Sequence, residues 1–83
     1  MEEFTKYVKK KAKEKEISIS KLAKELDMSE VYLRHVIAGR RISFPVVAKI
    51  SKYFKDPTIL YIYVDSYVSR KESERNLKRR YRV

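Results

Sequence analysis

The chain has 83 residues, which allows one small domain with a modest core, so association with a second copy would add useful burial. It has no cysteine, which excludes disulfides and thiolate metal sites. Its 21 Lys and Arg against 11 Asp and Glu give a net charge of +10, which favours nucleic acid as partner and an anionic membrane surface second. The alternative interpretations of the charge are solubility and the lysine-rich composition of some thermophile proteins. Neither a signal peptide nor a membrane-spanning run is visible, so we expect a cytoplasmic, nucleoid-associated protein with no membrane partner.

The first predicted helix covers residues 3–15. Phe4, Val8 and Ala12 lie four residues apart and would bury one face of this helix. Lysines fill its other faces, and we interpret most of them as a solvated surface, since runs of charge usually are.

The next two predicted helices are short and are joined by a tight turn. Ser18 or Ser20 caps the first of them and Ser29 caps the second. Asp27 takes the left-handed turn between them, and Gly39, the only glycine, ends the second helix in the same conformation. The apolar stripes of the pair are Leu22, Ala23, Leu26, Leu33, Val36 and Ile37. This pattern predicts a helix-turn-helix, whose second helix enters the DNA major groove.

Two more helices are predicted beyond this unit. Pro45 suits the first turn of a fourth helix, and Asp56-Pro57-Thr58 is a start signal for a fifth. Residues 59–68 are apolar around so much of the helix that we predict a dimerisation face, with a strand as the alternative. The predicted dimer contacts are Ile59, Leu60, Ile62, Tyr63, Val64 and Tyr67.

The domain organisation follows from these elements. We predict one helix-turn-helix domain over residues 1–68, with the helix-turn-helix itself at 18–39 and the dimerisation segment at 57–68. Residues 69–83 hold seven basic and two acidic side chains and form a basic C-terminal extension or tail, helical or frayed.

The stretch from Leu22-Ala23 to Gly39-Arg40-Arg41 resembles the helix-turn-helix of the phage-repressor and Cro-like family, the XRE family. The resemblance covers roughly residues 3–64 and implies an all-α, five-helix lambda-repressor-like DNA-binding domain, here with an apolar C-terminal helix. The chain departs from the family at Ile19, where glutamine is frequent, and at Asp27, where glycine is usual. The change at position 19 removes a side chain that in relatives reaches a phosphate and braces the recognition helix.

The third helix is the candidate for reading bases. Leu33, Val36 and Ile37 recur at helical spacing and would face the core. The residues that then face outward are Glu30, Val31, Arg34 and His35. The resemblance assigns base contacts to Glu30, Val31 and His35, and Arg34 lies beside them. Glu30 has a second interpretation, as a first-turn acid stabilised by the helix dipole.

The candidate phosphate contacts surround this helix. Arg40 and Arg41 follow it directly, and backbone N–H groups at the start of the fourth helix would face the same strand. Tyr32 has the alternative of packing over the second helix. The full predicted set is Ser29, Tyr32, Arg40, Arg41, Ser43 and Lys21.

No arrangement of side chains for catalysis, a cofactor, a metal or a small-molecule ligand is apparent in the sequence. The predicted function is therefore sequence-specific binding of double-stranded DNA by a homodimeric transcriptional regulator, and the resemblance implies a repressor. The alternatives are a protein-interaction module, such as an antitoxin or adaptor, and a non-specific nucleic-acid-binding protein.

Overall fold

In a computed structural model the chain forms five α-helices, with the backbone described for residues 1–80 and the side chains for residues 1–71. The helices are α1 (Glu2–Glu14), α2 (Ile19–Glu25), α3 (Glu30–Ile37), α4 (Phe44–Phe54) and α5 (Thr58–Arg80). Residues 1–80 contain no strand. The predicted all-α, five-helix fold is confirmed, and residues 59–68 form a helix rather than a strand.

The predicted helix cap and left-handed turns of the helix-turn-helix are also confirmed. Ser18, rather than Ser20, caps α2 by accepting a hydrogen bond from the N–H of Lys21 at 3.1 Å. Asp27 has a φ of 53° and Gly39 a φ of 81°, so both turns are left-handed. A Cβ on Gly39 would also lie 2.8 Å from the Cβ of Met1, so glycine is required there for space as well as for conformation.

The core lies where α4 and α1 pack on α5, and Tyr63 is its largest fully buried side chain. Its ring makes edge contacts with Phe4 and Phe44, at centroid distances of 4.7 and 5.2 Å. Its hydroxyl accepts a hydrogen bond from the backbone N–H of Ser43 at 3.1 Å. A residue of α5 therefore holds the loop that follows the helix-turn-helix.

This packing corrects part of the predicted dimer surface. Ile59 and Tyr63, both predicted dimer contacts, are completely buried within the single chain. They lie four residues apart on the side of α5 that closes the domain, so they belong to the core. Leu60 and Ile62 are partly buried against the same core, and Tyr67 is partly buried beside the ring of Phe44 at the edge of the domain. Val64 alone among the six predicted dimer contacts is exposed, with an exposed fraction of 41%.

Asp56 joins α1 to the junction between α4 and α5. Its Oδ2 accepts a hydrogen bond from the Tyr7 hydroxyl at 2.7 Å and lies 3.2 Å from Nζ of Lys11. Its Oδ1 accepts the N–H of Thr58 at 3.0 Å, so the predicted cap at the start of α5 is present. The hydrogen bond from Tyr7, followed by those from Lys11 and Thr58, lowers the pKa of Asp56 to about 2.

We expect this carboxylate to make stability depend on acidity. Because the folded pKa of about 2 lies below the unfolded value of about 3.9, the stabilisation is fully present above about pH 4. It is lost as the pH falls from about 4 through about 2.

Thermal unfolding of wild type and Asp56→Asn should therefore give melting temperatures that differ at pH 7 and converge near pH 2. Asp65→Asn, an exposed carboxylate on α5, is the control, and an equal difference between wild type and Asp56→Asn at both pH values would contradict this role.

Helix α5 continues through position 69, where the sequence suggested a boundary, and extends to Arg80. The last three residues of the predicted basic extension, 81–83, lie outside the described residues. Within the described part of the chain, no helix combines the length and apolar character needed to cross a membrane.

Candidate nucleic-acid interface

Helix α3 exposes one face along its whole length. Leu33, Val36 and Ile37 are buried, which fixes the rotation of the helix about its axis. Val31 and Arg34 then face solvent, with 65% of Val31 exposed, and His35 is half-exposed beside them. The predicted outward face is therefore present and places a methyl-bearing, a guanidinium and an imidazole side chain side by side.

Glu30 lies at the edge of this face and links α2 to α3. Its Oε1 accepts a hydrogen bond from the hydroxyl of Ser20 on α2, and its Oε2 lies 2.9 Å from Nε of Arg34. The Ser20 hydroxyl, and after it the Arg34 guanidinium, lower the pKa of Glu30 below its usual range. Both carboxylate oxygens thus have partners within the helix-turn-helix, and Glu30 orients Arg34.

The sequence reasoning did not identify two residues of this surface. Ala38 is exposed and lies seven residues after Val31, so it continues the outward face beyond His35. Its spacing from Val31 was a sufficient signal. The sequence predicts Ser20 only as a possible cap. Its contact with Glu30 depends on how α2 crosses α3, and the pattern of neighbouring residues in the sequence does not reveal that crossing.

Arg40 and Arg41 are exposed directly after α3, as a phosphate-contacting pair requires. Their backbone N–H groups both donate to the carbonyl of His35, at 2.9 and 3.3 Å. The loop is therefore fixed by main-chain bonds, while the two guanidinium groups are presented to solvent.

Ser43 does not fit its predicted phosphate role. The residue is 9% exposed, its N–H donates to Tyr63, and its Oγ accepts from the N–H of Val46 at 3.3 Å. The N–H groups of Ser43 and Val46 are therefore bonded inside the fold. Ser43 is the cap of α4, and it is far less accessible to a phosphate than Arg40 or Arg41.

The other predicted phosphate contacts lie on the surface of the helix-turn-helix. Ser29 and Lys21 are exposed, and Ser29 Oγ accepts the N–H of Tyr32 at 3.4 Å as the cap of α3. Tyr32 is 37% exposed, so part of its ring is covered and part faces solvent. Ser29 and Tyr32 lie at the N-terminal end of α3, and Lys21 lies on α2.

Among the described residues, no group of three or more His, Cys, Asp or Glu side chains is arranged to hold a metal ion. The surface around α3 is instead built from a helix-turn-helix with cationic side chains at its outward face and directly behind it.

These features define a DNA-binding domain of the helix-turn-helix class. The profile of the helix-turn-helix family of the Cro/C1 type, the XRE family, matches residues 8–59, and the chain belongs to this family. The family consists of DNA-binding domains rather than enzymes. Searches with the whole sequence found no match among curated proteins or solved structures.

Proposed function

We propose that this protein is a sequence-specific DNA-binding transcriptional regulator that acts as a homodimer and represses transcription by occupying its operator. The observation that carries the proposal is the exposed face of Val31, Arg34 and His35 on α3. Valine contacts a thymine methyl group, and arginine donates two hydrogen bonds to guanine, so these side chains are suited to reading base edges. A DNA partner would bring the protein to the nucleoid.

Selection of bound duplexes from a random DNA pool tests the proposal directly. A dimer with one α3 per subunit should select a two-fold symmetric motif with half-sites about 10 base pairs apart. A pool without any enriched motif would instead identify a non-specific nucleic-acid-binding protein and refute the proposal.

The exposed side of α5 supports the dimer. Tyr61, Val64 and Val68 recur at intervals of three and four residues, so they share one face. Their exposed fractions are 75%, 41% and 45%, although all three side chains are strongly apolar or aromatic. A contiguous apolar stripe on a small domain is typical of an association surface.

We expect Val64→Glu to convert the dimer to a monomer, because a carboxylate would have to be desolvated in the interface. Light scattering after gel filtration should give twice the chain mass of 10.0 kDa for wild type and the single mass for the variant. Val31→Glu makes the same change at an exposed valine on α3 and should remain dimeric. A monomeric wild type at tens of micromolar would contradict the dimer.

The same apolar stripe gives the second candidate function, a protein-interaction module in which α5 binds a different protein. A monomeric wild type that also selects no DNA motif would favour this candidate over the regulator.

A further inference from the structure

Two neighbouring clefts lie behind the C-terminal end of α3, and basic side chains line both. The larger, of about 590 Å³, includes Lys6 and Lys9 of α1 and Arg70 of α5. The smaller, of about 230 Å³, includes Arg40 of the loop after α3, together with Arg70 and Lys71. Arg70 and Gly39 line both clefts, so the cations of three elements form one continuous surface.

We name this surface the basic band and define it by five side chains: Lys6, Lys9, Arg40, Arg70 and Lys71. Within residues 1–71, whose side chains are described, Glu2 is the only acidic residue that lines either cleft, and its Oε1 lies 3.1 Å from Nζ of Lys6. Glu3 and Asp65 line a separate cleft on the other side of Arg70 and mark the edge of the band. The band therefore carries a clear excess of positive charge.

The packing of α5 places the end of the band beside the loop after α3. Tyr67 lines the smaller cleft, and its ring packs against Phe44 at a centroid distance of 5.3 Å. Nζ of Lys71 lies 5.8 Å from the centre of the Tyr67 ring. The position of the band relative to α3 is thus set by packing against the first residue of α4.

A surface with an excess of cations attracts a polyanion, whose negative charges offset the repulsion between the cations. A DNA backbone supplies such charges at regular spacing. The band also begins at Arg40, one of the residues expected to contact phosphate. We propose that the basic band binds the phosphodiester backbone of the same duplex that α3 reads, so that α1 and α5 extend the DNA contact beyond the helix-turn-helix. This inference rests on the proposed DNA-binding function.

The test is the salt dependence of DNA affinity in the full-length double variant Arg70→Ala/Lys71→Ala. Each phosphate contact contributes about 0.9 to the slope of log K against log salt. The variant should reduce the magnitude of that slope by about 1 to 2 and should weaken binding to every sequence alike. Lys49→Ala/Lys52→Ala removes the same charge from exposed positions on α4 that line neither cleft, and it should leave the slope near the wild-type value.

Circular dichroism melting establishes that each variant is folded. If the variant in α5 does not fold, Lys6→Ala/Lys9→Ala tests the other cleft by the same slope. A slope equal to that of the α4 control, in a protein that still selects its motif, overturns the basic band and leaves the proposed function intact. A wild-type protein that binds no DNA overturns both.

Discussion

Replacing Tyr63 by alanine is expected to lower the free energy of unfolding by about 3–5 kcal/mol, the usual cost of deleting a buried aromatic ring. A domain of this size has a total stability of about 4–12 kcal/mol, so the substitution should remove a large fraction of it and lower the urea midpoint strongly. The reason is local: the ring contacts Phe4 and Phe44, and no part of Tyr63 is exposed. Urea unfolding followed by circular dichroism measures the effect.

Tyr63→Phe separates the ring from the hydroxyl. The variant keeps the aromatic contacts but leaves the buried N–H of Ser43 without its acceptor, which should cost about 1–3 kcal/mol. Asp65→Ala is the control, because Asp65 is also two residues from Tyr63 on α5, is exposed and lies outside the apolar stripe of α5. It should change stability by no more than about 0.5 kcal/mol.

The same experiment separates a core residue from an interface residue. Loss of a core contact destabilises the protein equally at all protein concentrations, whereas loss of a dimer contact matters more as the protein is concentrated. A midpoint for Tyr63→Ala that varies less with concentration than the wild-type midpoint, so that the difference between the two grows as the protein is concentrated, would place Tyr63 between subunits and contradict its position in the core.

The features that sequence reasoning predicted well are those encoded over a few residues. Ser29 caps the helix that starts beside it, and Asp27 and Gly39 take left-handed conformations that few other residues adopt easily. Such signals do not depend on distant parts of the chain. They were therefore sufficient for the helices, the turn and the outward face of α3.

The predictions failed where contacts with residues distant in the sequence determine which side chains are buried. Residues 59–68 are apolar on several sides, and the sequence alone does not say which side meets α1 and α4. Packing placed Ile59 and Tyr63 inside and left Val64 outside. The buried N–H of Ser43 was not predictable from local sequence because its acceptor, Tyr63, lies 20 residues further on. The cap bond of Ser43 to the N–H of Val46, by contrast, is local.

The contact between Ser20 and Glu30 also joins two different helices and could not be predicted from local sequence. It changes the interpretation of the outward face of α3. The sequence left Glu30 open as a base-reading residue or a first-turn acid. In the structure it contacts Ser20 on one helix and Arg34 on the other, so its carboxylate sets the direction of the guanidinium. An isolated pair of this kind at i and i+4 contributes little to stability, but it restricts the directions in which the Arg34 guanidinium can point.

Arg34→Ala is therefore expected to lower affinity for the selected DNA motif by roughly 10- to 100-fold, the cost of losing a bidentate contact with guanine. Affinity for unrelated DNA should fall much less, because most of that binding comes from other cations. Arg34→Lys retains the charge but lacks the planar fork, so it should recover non-specific binding and little of the discrimination. Competition binding between the selected motif and unrelated duplexes measures both quantities, and equal losses on the two would assign Arg34 to phosphate.

Glu30→Ala tests the orienting role, because the variant leaves Arg34 in place but removes its partner. We expect discrimination between bases at the position read by Arg34 to fall several-fold, while affinity for unrelated DNA rises slightly as a negative charge is removed. Ser20→Ala should have the same effect in weaker form, since it removes only the contact from α2. If Glu30 instead accepts a hydrogen bond from cytosine, Glu30→Ala will relax the motif at a different base pair and leave the position read by Arg34 unchanged. Repeating the selection with each variant locates the affected base pair, because an orienting residue and a reading residue change different columns of the motif.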